Sequence, residues 1–299
     1  MIITNNLTKV FATTLALDSV GIEIADGSIY GLVGSNGSGK STLLRLISGI
    51  YRPDAGEIIV DGVTPFENIH VKDFVTLVPD ENYFFSQSTM DEMAVFYEHM
   101  KAGFDRTLYK FLCDHFPIDP KKKISTFSKG MKRQVALILA IATRPRYLLL
   151  DEAFDGLDPV IRAAVRKILA DQILDSGMTV IIASHNLREL EDICDHIGLL
   201  HKGKIIFERE IDESKLGFCK IQIAFKSPPN PAVFSQLNVL QKTDSGSVSS
   251  LIVRGNAMEA AKYLETLNPL LVESVPLTLE EVFIHEMEVA GYDYSNILF

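Results

Sequence analysis

A glycine-rich segment near the N-terminus constrains the fold of this chain more than any other feature. Residues 34–41 read GSNGSGKS and match the pattern G-x-x-x-x-G-K-[ST]. An apolar run of strand type, residues 28–33, precedes the match, and a helix-forming segment, residues 42–47, follows it. Such a loop binds phosphate, because its glycines let backbone N–H groups point inward and the helix N-terminus favours an anion. The sequence therefore predicts nucleoside triphosphate binding, with candidate contacts Gly34, Ser35, Asn36, Gly37, Ser38, Gly39, Lys40, Ser41 and Thr42.

A second motif supplies the groups that hydrolysis would need. Lys40 is placed to reach the β- and γ-phosphates, and the Ser41 hydroxyl to bind Mg²⁺. Residues 147–152, YLLLDE, form an apolar strand that ends in two carboxylates. This strand would bring Asp151 beside the metal ion, and Glu152 would polarise a water molecule for in-line attack on the γ-phosphate. Because acidic turns are common after strands, this motif alone would be weak evidence for hydrolysis. It indicates hydrolysis here because Lys40 and Ser41 occur in the same chain.

Composition limits what the nucleotide can be used for. The chain has 299 residues, of which 47% are hydrophobic, and this suits one large domain and a smaller one. No stretch approaches the ~20 apolar residues of a membrane span, and residues 1–10 lack the layout of a signal peptide. The three cysteines are far apart, which predicts neither disulfides nor zinc. A net charge of −10 disfavours nucleic acid as a partner. We expect a cytoplasmic protein.

Three further segments complete a recognisable order. Residues 127–134, FSKGMKRQ, open a helix, residues 154–159, FDGLDP, form a turn, and the strand at 179–183 ends in Ser-His. In their order, the phosphate loop, SKGM, LLLDE, GLD and SH segments resemble the ATP-binding cassette (ABC) ATPases. The resemblance covers about residues 2–215.

The resemblance implies an α/β fold and a domain organisation. The P-loop NTPase cassette of this family has a mainly parallel core sheet, an antiparallel β subdomain and a helical subdomain, here at about residues 84–145. We expect the ABC ATPase domain to span residues 1–215 and a small C-terminal α+β accessory domain to span residues 216–299. In the accessory domain, the patterns predict strands at 220–225, 249–253 and 270–275, a helix at 257–267, a capping box from Thr278 to Glu281, and loops at 227–231 and 243–247.

The resemblance also implies roles for residues outside the loop. In this family two cassettes form a head-to-tail dimer that holds two ATP molecules, and each site is completed by the partner cassette. Ser128 and Gly130 would contact the γ-phosphate of ATP held by a second subunit, and Asp158 would belong to the loop that connects the two sites. His185 would hydrogen-bond the γ-phosphate and orient the attacking water, and Phe11 would stack on adenine. The alternatives are a solvated or capping histidine and a core aromatic.

The chain departs from the family where a glutamine usually contacts Mg²⁺. Alignment through residues 89–92, TMDE, places Asp80 at that position, after the apolar strand at 75–79. A carboxylate there could bind the cation more tightly but cannot donate a hydrogen bond. The alternative is an acidic surface turn. Lys129 and Met131 also replace the commoner glycine and glutamine of the signature segment.

The leading hypothesis is an ATPase subunit that powers a separate integral-membrane permease, as part of an exporter. Residues 277–283, LTLEEVF, resemble the end of ATPase subunits in bacterial ABC-2-type exporters, which include bacitracin-efflux-like systems. The expected ligands are ATP and Mg²⁺. The expected partners are the permease and a second cassette, in a homodimer or heterodimer, and the expected location is the inner face of the cell membrane. The aromatic segment at 82–85 is the candidate docking surface, with burial in the helical subdomain as the alternative.

Two other functions are weighed against this one. A soluble ABC ATPase acting on nucleic acid or the ribosome usually has two cassettes or long coiled-coil insertions, together with basic patches. This chain has one cassette and a negative charge, so we expect no nucleic acid partner. A small-molecule or protein kinase would have an acceptor site and no SKGM segment.

Overall fold

The structure is a computed structural model that describes residues 1–211, 218–226, 231–275 and 277–289. The chain divides into two compact units, of which the first runs to Glu208 and the second begins at Arg209. The domain boundary predicted at residues 215–216 lies outside the described residues, as does most of the loop predicted at 227–231.

The first unit alternates strands with helices along most of its length. Its described strands are β1 (Ile2–Phe11), β2 (Thr14–Ile24), β3 (Ile29–Val33), β4 (Ala55–Val60), β5 (Val75–Val78), β6 (Tyr147–Asp151), β7 (Thr179–Ser184), β8 (His196–His201) and β9 (Lys204–Glu210). Its described helices are α1 (Lys40–Ile47), α2 (Ile69–Phe74), α3 (Met90–Met100), α4 (Arg106–His115), α5 (Lys129–Ala142), α6 (Pro159–Ser176) and α7 (Leu187–Glu191).

A six-stranded sheet of order β5-β6-β7-β3-β8-β9 forms the centre of this unit. Strands β5, β6, β7, β3 and β8 pair in parallel with one another, in that order. Every residue of β3, β6 and β7 is buried, as continuous apolar runs predict for the central strands of a parallel sheet. The carboxyl ends of these strands therefore lie side by side, and the segments that follow them converge at one edge of the sheet.

A smaller antiparallel sheet of order β2-β1-β4 packs next to the phosphate-loop helix. Alternating residues of β1 and β2, such as Leu7 and Leu17, are fully buried, and they share one core cluster with Leu43 of α1 and Tyr147 of β6. The period-2 alternation seen in residues 2–30 is what a half-buried antiparallel sheet requires. The shared cluster holds α1 against both sheets.

Helices α3, α4 and α5 occupy the region predicted as helical, and polar caps begin each of them. Thr89 and Glu92 form a capping box at α3, Asp105 caps α4, and Ser128 caps α5. The first unit thus has the parallel sheet, antiparallel sheet and helical region that were predicted.

The second unit is a four-stranded antiparallel sheet of order β11-β12-β10-β13. Its described elements are β10 (Phe218–Ala224), β11 (Asn238–Ser245), β12 (Val248–Arg254), α8 (Ala257–Glu265), β13 (Leu271–Val275) and α9 (Leu279–Val289). Leu251 and Val253 of β12 share a core cluster with Leu264 of α8. The intervening Ile252 clusters instead with Val282 of α9. Because successive strand residues face opposite sides, the two helices cover opposite faces of the sheet.

Strand β11 corrects the loop predicted at 243–247. The strand runs to Ser245 and is joined to β12 by a tight turn in which Gly246 has φ = +62°. The strand lies at an edge of the sheet, and most of its residues are exposed. An exposed edge strand has no face to bury, so the apolar alternation by which a strand is predicted is missing from its sequence. The capping box predicted at the last helix is present: the Thr278 backbone N–H donates to Glu281 Oε2 (3.0 Å), and the Glu281 N–H donates to Thr278 Oγ1 (3.3 Å).

Across the described parts of the chain, no helix combines the length and apolar character needed to cross a membrane.

Candidate nucleotide-binding and catalytic site

The loop between β3 and α1 has a backbone shape that only glycine permits at two positions. A Cβ atom on Gly34 would lie 2.3 Å from the Leu200 carbonyl oxygen and 2.5 Å from Ser38 Oγ. Gly39 has φ = +113°, and a Cβ there would lie 2.6 Å from the Ala16 carbonyl oxygen. The loop is therefore held against β8 on one side and β2 on the other, which leaves its N–H groups free to form a phosphate cradle.

A cavity of about 230 Å³ opens beside this loop. Most of the loop contributes to its wall, through Asn36, Gly37 and residues 39–42, and residues 14–16 of β2 form another side. Asp80 and Glu152 complete it. The cavity thus brings together four segments that are separate in the sequence, each lying in a strand or following one.

Lys40 points its ammonium into the loop. Its side chain is only 4% exposed, and Nζ donates hydrogen bonds to the carbonyl oxygens of Gly34 (2.6 Å) and Ser35 (3.2 Å). Nζ also lies 3.3 Å from Glu152 Oε1. A buried ammonium is tolerated only with such partners, so the loop and Glu152 together hold the charge at the place where phosphate oxygens would bind.

Asp151 is a buried carboxylate with a free oxygen. It is 3% exposed, and Oδ1 has no hydrogen-bond partner. Burial raises the pKa of this carboxyl and the charge of Glu152 raises it further, whereas a hydrogen bond from the Ser41 hydroxyl lowers it. A carboxylate and a hydroxyl with an unused oxygen are the hard ligands that Mg²⁺ prefers, so the Ser41 and Asp151 pair fits that ion.

Glu152 adopts a backbone conformation that is uncommon for its residue type. Its φ is +50°, in the left-handed region, which costs an L-residue about 1–2 kcal/mol. The Glu152 N–H donates to the Ala183 carbonyl oxygen at 2.9 Å. On the side chain, Oε2 lies 2.8 Å from Nδ1 of His185. The carboxylate is therefore placed between Lys40 and His185 at the wall of the cavity.

The signature and GLD segments lie away from this cavity and contact each other. Ser128 Oγ accepts a hydrogen bond from the Met131 N–H at 3.2 Å, and a Cβ on Gly130 would lie 2.7 Å from the Gly156 carbonyl oxygen. Asp158 caps α6 by accepting from the N–H groups of residues 160 and 161, both at 3.0 Å. The structure does not bring Ser128, Gly130 or Asp158 to the phosphate loop of the same chain.

Phe11 lies at the end of β1, near the hairpin turn to β2. Its ring packs edge-on against Tyr51 with 5.2 Å between centroids, and Lys9 Nζ lies 5.3 Å from its centroid. The ring remains 39% exposed. The ring is therefore partly accessible, but it does not line the cavity, whose wall on this side is formed by residues 14–16.

Arg133 contacts two residues of the cavity wall, and the sequence did not identify it as part of the site. Its side chain is 1% exposed, and Nη2 donates to both the carbonyl oxygen and Oδ1 of Asp80, each at 2.7 Å. Its Nη1 donates to the carbonyl oxygen of Glu152. Its position next to the apolar run of α5 could have indicated that this charged side chain is buried and paired. Asp80 itself lines the cavity, and its side chain is half-exposed.

The parallel sheet, the phosphate loop and the paired carboxylates define a P-loop ATPase of cassette type. A family model described as ABC transporter matches residues 17–155. The chain is 34% identical to the ABC transporter ATP-binding protein YtrB of Bacillus subtilis (strain 168) over 284 residues, which cover 95% of this chain and 97% of YtrB. The chain therefore belongs to the ATP-binding subunits of ABC transporters.

Other similarities support this assignment. The bacitracin transport ATP-binding protein BcrA of Bacillus licheniformis is 29% identical over 218 residues, 71% of this chain and 70% of BcrA. A solved ATP-binding subunit of an ABC transporter superposes with a TM-score of 0.66 over 72% of this chain and 92% of that chain, and its 23% identity shows the fold alone. The predictions of the fold class, the family and the ATPase activity are confirmed, and nothing in these similarities favours the nucleic acid alternative.

Proposed function

We propose that this subunit binds Mg²⁺ and ATP at the cavity beside its phosphate loop and drives an exporter permease at the inner face of the membrane. The observation that carries the proposal is the series of contacts from Lys40 through Glu152 to His185, in which the ammonium and the carboxylate line the cavity and the imidazole contacts the carboxylate. Phosphoryl transfer depends on positioning and charge stabilisation, and these groups supply both.

Each side chain of the candidate site has a proposed role. Lys40 binds the terminal phosphates, and the exposed part of the Phe11 ring stacks on adenine. Ser41 and Asp151 would hold Mg²⁺, with Asp80 as a further candidate ligand, and the ion would neutralise phosphate charge. Glu152 takes the proton of the attacking water, and His185 orients that water.

We infer that a second cassette completes the site, because in one chain the signature residues do not reach the phosphate loop. Ser128 and Gly130 begin α5 and lie away from their own phosphate loop, as does Asp158, so they are available to contact nucleotide held by a partner subunit. The helix N-terminus at Ser128 favours an anion. The partner is a second copy or a related cassette.

An exposed aromatic cluster is the proposed docking surface for the permease. Tyr83 is 83% exposed and packs edge-on against Phe85 at 6.5 Å, and Phe85 packs against Phe96 at 4.9 Å. Exposed contiguous aromatics are a usual component of protein interfaces. Because Tyr83 and Phe85 lie within five residues of Asp80 in the chain, docking is adjacent to the nucleotide site. The similarity to BcrA, named for bacitracin transport, supports the direction of export.

Substitution at Glu152 tests the catalytic part of this proposal. Glu152→Gln keeps the shape of the side chain, so ATP binding is retained while turnover falls by about 10²–10⁴-fold, the usual contribution of a general base. Lys40→Ala should instead abolish nucleotide binding. Hydrolysis by Glu152→Gln at the wild-type rate would rule out Glu152 as the base.

Co-purification tests the partner. The tagged chain is purified from detergent-solubilised native membranes, and the proteins that co-elute are identified by mass spectrometry. A polytopic membrane protein at stoichiometric ratio supports the exporter subunit. Recovery only in the soluble fraction with ribosomes or nucleic acid would contradict it.

A further inference from the structure

We propose that Arg133 is a positioning residue for hydrolysis, which holds the main chain of Glu152 and links it to Asp80. This inference rests on the proposed role of Glu152 as the base. Arg133 does not line the cavity, and it acts through the residues that do.

The guanidinium bridges the ends of two neighbouring parallel strands. Asp80 follows β5 and Glu152 follows β6, and the two strands pair with Val78 opposite Leu150. Arg133 reaches both from α5: Nη2 donates to Asp80 O and Oδ1, and Nη1 to Glu152 O. A planar guanidinium with two separate N–H directions can make these contacts at once, whereas an ammonium cannot reproduce the fork.

The contact with Glu152 determines where its carboxylate points. The left-handed conformation at φ = +50° is unfavourable for glutamate and persists only when its surroundings enforce it. The Glu152 N–H is bound by the Ala183 carbonyl oxygen at 2.9 Å, and the Glu152 carbonyl oxygen is bound by Arg133. With both flanking peptides held, the Cα–Cβ bond is directed toward Lys40 and His185.

The contact with Asp80 connects this arrangement to the cavity and to the aromatic cluster. Arg133 is fully buried, whereas its counter-ion Asp80 is 51% exposed and lines the cavity. Residues 82–85 follow Asp80 after a single intervening residue. A movement of the Asp80 segment is therefore transmitted to the Glu152 carbonyl through a single side chain.

The test compares kcat, nucleotide affinity and thermal stability in variants of the full-length chain. Arg133→Lys keeps the charge and removes the fork, and it should lower kcat by about 10²-fold, as expected for a displacement of about 1 Å at a reacting group. The Kd for a fluorescent ATP analogue should be unchanged. Arg166→Lys is the matched control, because Arg166 also pairs a carboxylate, Asp192 at 2.7 Å, and a main-chain oxygen, Glu189 O at 3.4 Å, away from the cavity. It should leave kcat unchanged.

A second pair of variants separates positioning from a merely structural role. If Arg133 acts through Glu152, Arg133→Lys should cause no further loss of the residual turnover in a Glu152→Gln background. A further loss of similar size in that background would overturn the proposal. Asp80→Ala should lower kcat less than Arg133→Lys, since the bond to the carbonyl oxygen of residue 80 remains, and the double variant should equal Arg133→Lys alone.

The outcomes distinguish this inference from the proposed function. Wild-type turnover in Glu152→Gln would defeat the assignment of the base itself. Loss of turnover in Glu152→Gln, with wild-type kcat in Arg133→Lys, would defeat only the role of Arg133. If Arg133→Lys does not fold, the exposed partner variant Asp80→Ala decides: a reduced kcat with unchanged thermal stability and an unchanged Mg²⁺ concentration for half-maximal turnover supports the link, and an unchanged kcat refutes it.

Discussion

Replacing Gly34 by alanine should weaken nucleotide binding by about 10²-fold, and the size of the effect follows from the geometry of the loop. Ordinary contact for a Cβ begins at 3.4 Å, so the Leu200 carbonyl oxygen at 2.3 Å would have to separate from it by a further 1.1 Å. Leu200 is fully buried in β8, and its oxygen belongs to rigid backbone, so the loop must move instead. A displacement of about 1 Å at a site of this kind weakens function by about 10²-fold. Overpacking costs a further ~1–3 kcal/mol of stability.

Gly177→Ala is the matched control outside the cavity. Gly177 follows the last residue of α6 with φ = +68°, and a Cβ there would meet nothing within 4 Å. Alanine is therefore strained by about 1–2 kcal/mol but displaces no neighbour. The two variants should lose comparable thermal stability, of the order of 2–12 °C for Gly34→Ala in a domain of this size. Titration with a fluorescent ATP analogue should show near-wild-type affinity only for Gly177→Ala. Equal affinities in the two variants would refute the reasoning.

Three other predictions concern separate features. Asp105 caps α4, and hydrogen bonds from the Leu108 N–H and from Arg144 lower the pKa of its carboxyl group, against an opposing effect of burial. Asp105→Ala should therefore lower the free energy of unfolding by about 1 kcal/mol at pH 7. Because a lowered carboxyl pKa stabilises the fold fully only above the usual value near 3.8, urea melts should show the difference between variant and wild type shrinking below that pH. A constant difference down to pH 3 would contradict the capping argument. Phe11→Ala should raise the Kd for ATP by about 10-fold or less, and an unchanged Kd would mean that the ring only packs on Tyr51. Tyr83→Asp should uncouple permease-stimulated hydrolysis with ATP binding intact, and loss of binding would count against the docking surface.

Local patterns predicted the parts of the fold that depend on local physics. Residues 127–134 were expected to open a helix, and α5 begins at Lys129 with Ser128 as its cap. The strand before the phosphate loop and the YLLLD strand are buried as their apolar runs required. Strand β11 was missed because an exposed edge strand has no apolar face to reveal it. Periodicity indicates burial, so elements with little burial are the ones it overlooks.

Contacts between distant segments could not be predicted from the sequence. Arg133 meets Asp80 and Glu152 because β5 and β6 are neighbours in the sheet, and strand order is not encoded in any local pattern. The same holds for the close approach of Gly130 to Gly156, which joins the start of α5 to the turn before α6. The motifs indicated which residues matter, whereas the topology determines which of them touch.

The unfavourable features near the phosphate loop are themselves an argument for function. Positive φ alone does not distinguish Glu152, because Asn6, Ala12 and Lys202 share it in bulges and turns of the described chain. Glu152 differs because its strained backbone carries a carboxylate against a buried lysine, and because the adjacent Asp151 has a buried oxygen without a partner. Neither the strained backbone of Glu152 nor the unpartnered oxygen of Asp151 would stabilise the protein if these carboxylates had only a structural role. Both costs are explained if strain directs the base and the free oxygen is reserved for a cation, since local rules are broken where function requires it.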